Sequence, residues 1–244
     1  MTGAPWAVSV VIPARDEAAT VAAAVRSVIR SARAAGRPFD ITVVADGCVD
    51  ATAGAAAQAV SGHGRVIEVV AGTVGSARRA GTTRSLAALA ADGHAPEETW
   101  LLATDADSTV PSAWIRTHLD LADAGAHGVA GLVVVDSFAD HPPSVEQAFR
   151  RRYEVGVSGE HPHVHGTNLG VRADAYARAG GWRDLRTAED HDLWNRLTEL
   201  AVPLCSTVDA PVRTSGRAAG RAPDGFASLL RSLATAGGSR ELAG

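Results

Sequence analysis

The chain has 244 residues, of which 46% are hydrophobic and 20% charged, and its formal net charge is −4. This length and composition predict one large α/β domain, or two halves that share a core, and exclude a disordered chain. The negative net charge excludes a general nucleic-acid-binding protein, which needs a dense basic surface. All 23 residues counted as Lys or Arg are arginine, so a phosphate site would use guanidinium groups, backbone N–H groups or a metal.

The cysteines and the apolar segments bear on the compartment. Cys48 and Cys205 are far apart and form no C-x-x-C pair, which is typical of a reducing compartment and predicts a cytoplasmic protein. Met1 to Trp6 lack the basic start and apolar run of a signal peptide. The longest apolar stretch, Val129 to Val135, is too short to span a bilayer, which leaves peripheral membrane contact open.

The predicted secondary structure alternates between strands and helices over the first hundred residues. The β-branched run Val8 to Ile12 ends at Pro13 and predicts a buried parallel strand. Asp16 is the predicted cap of a helix whose apolar residues recur at helical spacing. Strands separated by helices of this length predict a parallel sheet covered by helices. The further strands are predicted over residues 41–45, 66–70 and 101–104, and the further helices after Asp50 and over 76–91.

The alternation weakens after a strand predicted over residues 129–135. A loop rich in arginine and glycine is predicted before the last helix, with no internal repeat and no long linker. The predicted elements of this part are a helix over 144–154, short helices over 172–179 and 190–200, short strands near Val202 and Val208, and a helix over 226–234.

Polar side chains follow three of the predicted strands. Arg15 and Glu17 follow the first strand, Asp46 the second, and Asp105 and Asp107 the fourth. In an open α/β sheet ligands bind beyond the carboxyl ends of the strands, so these side chains should meet along one edge. Two carboxylates on one tight turn can reach one hard divalent cation, Mg²⁺ or Mn²⁺. A solvated acidic turn is the alternative, and the two neighbouring acidic loops favour the cation site.

Six segments, taken in order and spacing, resemble family 2 glycosyltransferases. They extend from Val8 to about Leu200 and are VSVVIPARDE, VVADGCVDAT, GSARRAG, LLATDAD, GTNLGVRADAYARAGGW and AEDHDLWNRL. The resemblance implies an α/β fold of the GT-A type, with a mostly parallel, Rossmann-like sheet covered by helices and a smaller acceptor-side half. We therefore expect one domain, with a nucleotide-sugar half over about residues 1–108 and an acceptor half over about 109–244.

The same resemblance implies roles for single residues. Arg78 would lie near the base or the diphosphate, Asp105 and Ala106 near the ribose, and Asp107 at the metal, for which Asp105 and His165 are further candidates. Asp190, in the pair with Glu189, would be the general base of an inverting transfer. Pro13, Ala14, Arg15, Glu17 and Asp46 would line the nucleobase and ribose pocket.

The chemistry of sugar transfer suits these residue types. A divalent metal stabilises the negative charge of a leaving nucleoside diphosphate. An acceptor hydroxyl is a poor nucleophile, so a carboxylate that takes its proton accelerates attack by roughly 10²–10⁴-fold. Glu189 and Asp190 adjoin, and neighbouring carboxylates raise one another's pKa. The alternative for this pair is a helix N-terminus with favourable dipole placement.

Several acceptor-side candidates have equally good structural explanations. His161, His163 and His165 alternate, so an extended segment would direct all three to one side, unless the loop is flexible and the histidines incidental. Trp182 is either an apolar platform for a sugar ring or a core residue. Other candidates for acceptor or phosphate contacts are Gly166, Thr167 and Asn168 beside His165, and Arg213 and Arg217, with Arg221, in the Gly-rich loop.

The sequence favours the non-processive transfer of one sugar from a nucleoside-diphosphate sugar to a small or lipid-linked acceptor. No Q-x-x-R-W element is present, which argues against a processive synthase. A sugar-nucleotidyltransferase would carry a Gly-rich basic loop after the first strand, where this chain has Pro13 to Glu17. A catalytically silent nucleotide-sugar-binding module is a third possibility. The family has paired acidic residues where this chain has Ala45 and Asp46, so the identity of the nucleobase stays open. The identity of the sugar and the oligomeric state stay open as well.

Overall fold

The structure is a computed structural model that describes residues 6–153, 160–220 and 225–241, with side chains up to residue 234. Eight strands form one sheet in the order β3-β2-β1-β4-β7-β6-β8-β5. The strands are β1 (Ala7–Ala14), β2 (Phe39–Asp46), β3 (Gly64–Val69), β4 (Thr99–Ala103), β5 (Ser108–Thr109), β6 (Gly128–Val135), β7 (Leu169–Arg172) and β8 (Leu204–Thr214).

Helices cover the sheet. The apolar stripe predicted after β1 is buried in α1, where Val21, Val25 and Val28 pack against the sheet. The helices are α1 (Val21–Ala35), α2 (Thr52–Val60), α3 (Val74–Ala91), α4 (Trp114–Asp123), α5 (Pro143–Arg152), α6 (Ala173–Arg178), α7 (Glu189–Glu199) and α8 (Phe226–Glu241).

The first half of the sheet is parallel, as predicted. β1 lies between β2 and β4, and β3 pairs with β2, all in parallel register. Val10, Ile12, Ile41 and Val43 are fully buried in the largest apolar cluster, which is why these continuous β-branched runs form central strands. The carboxyl ends of β1, β2 and β4 therefore reach one edge of the sheet together.

The second half of the sheet is mixed. β7 runs antiparallel to both β4 and β6, and β8 is parallel to β6. The two short strands predicted near Val202 and Val208 are one long strand, β8, which begins only at Leu204. A left-handed residue, Ala210 at φ 55°, and a register shift opposite Gly131 accommodate the irregularity. The prediction of two strands was wrong because the chain kinks without leaving the sheet.

Asp16 does not cap α1. The helix begins only at Val21, and Asp16 has a positive φ of 53° while its carboxylate accepts a hydrogen bond from Val49 N at 2.8 Å. Asp50 is not the N-cap of α2, which is Ala51, but its Oδ1 accepts a hydrogen bond from the N–H group of the first helical residue, Thr52, at 2.9 Å. The predicted elements contain no counterparts of α4, β5 and β7. The end of the helix predicted over 144–154 falls at Glu154, outside the described residues.

Candidate active site

A cleft of about 890 Å³ opens at the carboxyl ends of β1, β2 and β4. We name two of its sides by their residues: the β1–β2 wall (Arg15, Glu17 and Asp46) and the α5–α8 wall (Arg152, Tyr153 and Phe226). Most of the site residues predicted from sequence line this cleft: Pro13, Ala14, Arg15, Glu17, Asp46, Arg78, Asp105, Ala106, Asp107, His165, Gly166, Thr167, Glu189, Asp190 and Arg217.

Asp46 organises the β1–β2 wall. Its Oδ2 accepts a hydrogen bond from Arg15 Nη2 at 2.6 Å, and its Oδ1 accepts one from Ala71 N at 2.7 Å. Arg15 Nε also donates to the backbone oxygen of Asp46 at 3.0 Å. The carboxylate is thus held between the loops after β1 and β3, while the side chain of Arg15 stays 41% exposed at the mouth of the cleft.

Arg217 joins the Gly-rich loop after β8 to both acidic loops. Its guanidinium donates to both oxygens of Glu17, at 2.5 and 2.9 Å, and lies 3.0 Å from Asp107 Oδ2. Burial raises the pKa of Asp107 to about 6; the charges of Asp105 and Glu17 also raise it, and that of Arg217 lowers it. Asp107 is therefore a poorly solvated carboxylate that lies beside a cationic partner.

Arg78, on α3, is the centre of a buried ionic network. It is 2% exposed, and it donates to Asp105 Oδ1 at 2.6 Å, to Glu189 Oε1 at 3.2 Å and to the backbone oxygen of Gly166 at 2.9 Å. Burial lowers the pKa of Arg78, but the charges of Asp105 and Glu189 outweigh it, so the pKa is raised. Arg78 thereby joins the turn after β4 to the start of α7.

Glu189 and Asp190 have different environments at the start of α7. Ala188 precedes them at φ 58°, a left-handed conformation that is unfavourable for a residue with a Cβ. The pKa of Glu189 is raised, mainly because the carboxyl group is buried. The charge of Arg78 opposes this rise and the charge of Asp190 adds to it. Asp190 is half-buried, lines the cleft, and accepts a hydrogen bond from Gly166 N at 2.7 Å. Both residues line the cleft, but Glu189 is buried and paired with Arg78, whereas Asp190 is the more exposed carboxylate of the two.

The alternating histidines do lie on one side of their segment. The rings of His161 and His163 stack at 5.7 Å, and those of His163 and His165 at 6.1 Å. His165 Nε2 lies 2.9 Å from the hydroxyl of Tyr153, and burial lowers the pKa of His165 to about 4. His165 is thus a neutral imidazole beside the α5–α8 wall. His161 lies on the same side but does not line the cleft, and its Nε2 is 3.0 Å from the backbone oxygen of Thr207.

Three predicted acceptor-side residues do not line the cleft. Asn168 is buried, and its Oδ1 accepts a hydrogen bond from Trp114 Nε1 at 2.7 Å while its Nδ2 donates to a backbone oxygen. Trp182 is 5% exposed and lies beneath the guanidinium of Arg78, 5.5 Å from it, so it is a core residue and not a sugar platform. Arg213 is exposed on β8, where strand alternation directs it away from the buried Thr214. Arg221 lies outside the described residues.

Comparison with known proteins identifies the family. The model of "Glycosyl transferase family 2" matches residues 9–180, which is more than half of the chain and includes the Asp105–Asp107 turn. The chain belongs to glycosyl transferase family 2. No curated protein sequence matches this family 2 chain significantly.

Solved structures share the GT-A fold of this family 2 chain. TarS 1-349 of S. aureus with UDP-GlcNAc superposes with a TM-score of 0.64 at 12% identity, over 94% of this chain and 66% of that one. PcManGT, a mannosyltransferase of Pyrobaculum calidifontis with GDP-Man and Mn²⁺, gives 0.60 at 16% identity, over 97% and 75%. Glucosyl-3-phosphoglycerate synthase of Mycobacterium tuberculosis with Mn²⁺, UDP and phosphoglyceric acid gives 0.53 at 16% identity, over 93% and 76%. This chain spans slightly under two thirds of the TarS fragment.

The carboxylates of the turn after β4 fit a divalent cation. Asp105 and Asp107 offer hard oxygen ligands. A cation beside them would stabilise the ionised carboxylate of Asp107 and so offset the cost of burial that raises its pKa.

A separate group, Asp16, Cys48 and Asp50, brings its ligand-type atoms within 4.8 Å of one another in the loops after β1 and β2. No helix among the described residues is long and apolar enough to span a membrane.

The sequence did not indicate several residues of the cleft. Gly72 and Thr73 follow β3, so the rule that ligands bind beyond the carboxyl ends of strands could have found them. Arg152 and Tyr153 end α5, where an arginine run predicts an ordinary solvated face. Because that helix lies outside the parallel half of the sheet, no local sequence signal places it beside the cleft.

Proposed function

We propose that this chain transfers a single sugar, with inversion and without processivity, from a nucleoside-diphosphate sugar to an acceptor hydroxyl. The observation that carries the proposal is that one cleft is lined by the Asp105–Asp107 turn, by the β1–β2 wall and by Asp190. Family membership supports the reaction class. The ligands of the similar structures, UDP-GlcNAc and GDP-Man, support a nucleoside-diphosphate-sugar donor.

The donor nucleoside would lie against the β1–β2 wall. The carboxylate of Asp46 already has three donors, Arg15 and the backbone N–H groups of Ala71 and Gly72, so its position is fixed before the donor binds. Arg15 keeps an exposed guanidinium that can contact the ribose or base. Residues 1–108 would thus form the donor half and residues 109–244 the acceptor half of one domain.

A divalent cation, Mg²⁺ or Mn²⁺, would be held by Asp107 with Asp105, and His165 is a further candidate ligand. Its chemistry when bound is to neutralise the negative charge that develops on the leaving diphosphate. Mn²⁺ in two of the similar structures supports this choice of metal. Arg217 already contacts Asp107, so the same carboxylate has a positive partner before any metal binds.

Asp190 would take the proton of the acceptor hydroxyl as that oxygen attacks the anomeric carbon. The hydrogen bond from Gly166 N holds its Oδ2, and the bond from His191 N at 2.8 Å holds its Oδ1. Attack from the side opposite the leaving diphosphate inverts the anomeric carbon. The lack of a Q-x-x-R-W element in the sequence supports a single transfer to a small or lipid-linked acceptor.

A thermal-shift panel tests donor binding. Nucleoside diphosphates and nucleotide sugars, each with and without Mn²⁺, should give a rise in Tm for the matching nucleotide that Mn²⁺ enlarges. Asp107→Asn should remove the enlargement by Mn²⁺ and keep the fold. No shift with any member of the panel would contradict a nucleotide-sugar donor.

Asp190→Asn tests the catalytic base. Asparagine keeps an oxygen for the Gly166 N–H group but cannot take a proton, so release of nucleoside diphosphate from the matching nucleotide sugar should fall by roughly 10²–10⁴-fold. The affinity for the nucleoside diphosphate should stay within about twofold of the original. Asp120→Asn, on the exposed face of α4, is the matched control. Turnover near normal in Asp190→Asn would remove Asp190 as the base.

A further inference from the structure

The acceptor side of the cleft carries a basic surface that takes no part in the proposed donor binding or in proton removal by Asp190. We define it as the basic rim: Arg152 at the end of α5, His163, and His191 on α7. All three line the cleft, next to Tyr153 of the α5–α8 wall. Arg152 and His191 are exposed, and His163 is half-buried. The rim therefore lines the same cleft as Asp190.

Arg152 differs from the arginines around the donor side. Three of those have a carboxylate partner within 3.0 Å, whereas Arg152, like Arg186 in the same cleft, forms no ion pair with another residue that the structure describes. A guanidinium group that lines a cleft without a carboxylate partner is available to bind an anion from solution. The three paired arginines are Arg15 with Asp46, Arg78 with Asp105, and Arg217 with Glu17 and Asp107.

The members of the rim lie within electrostatic reach of one another. Burial lowers the pKa of His163, and the charges of His161, Arg152 and His191 lower it further. Burial raises the pKa of the Tyr153 hydroxyl. The charge of Arg152 opposes this rise, and the charge of Asp190 adds to it. Tyr153, Arg152 and Asp190 all line the same cleft. A neutral imidazole such as that of His163 still offers an N–H donor to an anion.

The aromatic residues here are not arranged to stack on a sugar ring. Tyr153 is 8% exposed, and near-parallel rings lie at similar distances from it: Phe149 at 4.1 Å and His163 at 4.2 Å. Two parallel rings at this distance must occupy opposite faces, so neither face of Tyr153 is free. The exposed groups beside it are cationic or imidazole groups, which recognise negative charge.

We propose that the acceptor carries a phosphate group, which binds at the basic rim against Arg152 while the acceptor hydroxyl points toward Asp190. This inference rests on the proposed function. A guanidinium fork matches the oxygens of a phosphate, and Arg152 lines the same cleft as Asp190. A soluble phosphate ester and the phosphate headgroup of a lipid share this chemistry.

Calorimetry with glycerol 3-phosphate as the probe tests the inference, and glycerol is the uncharged control. The protein is first saturated with its matching nucleoside diphosphate and Mn²⁺, so that the probe cannot bind at the donor side. Glycerol 3-phosphate should bind and glycerol should not. Arg152→Gln should weaken the binding at least tenfold, and the affinity for the nucleoside diphosphate should not change.

Arg150→Gln is the matched control for Arg152→Gln. Arg150 lies on the same helix and carries the same charge, but it pairs with Glu146 on the outer surface and does not line the cleft. Its loss should change the binding less than twofold. An equal loss in both variants would indicate diffuse charge attraction and would overturn the inference, as would equal binding of glycerol and glycerol 3-phosphate.

Vesicles distinguish the two sources of phosphate. Sedimentation with phosphatidic acid vesicles but not with phosphatidylcholine vesicles, lost in Arg152→Gln, would assign the rim to a lipid phosphate. Binding of glycerol 3-phosphate alone would assign it to a soluble ester. Absence of both overturns the inference, provided that the nucleoside diphosphate still binds. If the nucleoside diphosphate itself does not bind, the proposed function fails, and this inference fails with it.

Discussion

His118, on α4, is a buried imidazole with no counter-charge. Its Nε2 lies 3.2 Å from Asn168 Oδ1, and its Nδ1 has no hydrogen-bond partner among the described residues. Trp100 and Trp114 surround the ring at centroid distances of 6.4 and 5.7 Å. Burial lowers the pKa of His118 to about 4, and its hydrogen bond to Asn168 opposes the shift. The folded protein therefore keeps this ring neutral at pH values where an exposed histidine is charged.

This burial predicts a loss of stability in mild acid. The folded pKa of about 4 lies below the unfolded value of about 6.5, so the unfolded state takes up a proton first as the pH falls. The contribution of the neutral His118 ring to the unfolding free energy is fully present above pH 6.5 and is lost as the pH falls toward 4. Between pH 7 and pH 5, the unfolding free energy should fall by about 2 kcal/mol more in the parent than in His118→Gln. Urea unfolding measures it, and parallel pH dependences of the two proteins would contradict the shift.

Arg78 shows at the residue scale what a sequence does not specify. The motif order placed it near the cleft, where the structure also has it, but its partners Asp105, Gly166 and Glu189 are 27, 88 and 111 residues away. No spacing rule predicts such contacts. The hydrogen bond from Arg78 that distinguishes Glu189 from Asp190 is likewise a long-range contact.

Helix α3 packs closely on the sheet through Gly81. A Cβ built at Gly81 would lie 2.5 Å from Val11 Cγ1 and 2.6 Å from Val44 Cγ2. Val11 and Val44 are β-branched and lie in central strands, where their restricted χ1 angles prevent them from easily moving aside. The helix therefore approaches β1 and β2 more closely than an alanine at this position would allow. Arg78 lies about one turn before Gly81 on α3, so the same close packing fixes its position.

Gly81→Ala and Gly54→Ala should change stability in opposite directions. At Gly81 overpacking costs about 1–3 kcal/mol and exceeds the gain of about 1 kcal/mol in helix propensity, so the protein should be destabilised. At Gly54, in α2, a Cβ meets nothing within 4 Å, so alanine should stabilise by about 0.5–1 kcal/mol. Chemical denaturation measures both variants. A stabilised Gly81→Ala protein would show that α3 can shift away from the sheet.

The strength of the local signal decides which elements the sequence predicts. β1 and β2 are continuous buried runs whose apolar pattern needs no partner to be recognised. β7 is only four residues long, and its identity depends on β4 and β6 on either side. β8 contains Ala210 and Pro211, which resemble a strand end, yet the strand continues through them.

At the scale of the whole molecule, Arg217 joins segments that are distant in sequence. It contacts Glu17, 200 residues earlier, and Asp107, at the centre of the chain. Its guanidinium would compete with a divalent cation for the carboxylate of Asp107. The loop after β8 thus influences the metal site of the proposed function before any donor binds.

Arg217→Gln should strengthen the binding of Mn²⁺ in the absence of nucleotide. Removing a partly exposed ion pair of this kind corresponds to a change of up to about 1 kcal/mol, or roughly fivefold in Kd. Titration of Mn²⁺ by calorimetry measures it. Arg213→Gln removes the same charge from an exposed position on β8 and should have little effect. Equal affinities in Arg217→Gln and the parent would show that Arg217 does not compete with the cation.

The strand order limits the shape of the sheet. β5 follows β4 closely in sequence, yet three strands lie between them in the sheet. In a flat sheet, four strand spacings would separate β4 from β5 by about 19 Å. The five residue-to-residue steps from Ala103 to Ser108 reach at most about 17 Å when extended, and the turn closed by the hydrogen bond from Ser108 N to Asp105 O at 3.1 Å shortens that reach. The second half of the sheet must therefore curl until β5 returns toward β4, so the acidic turn sets the curvature of the strands around it.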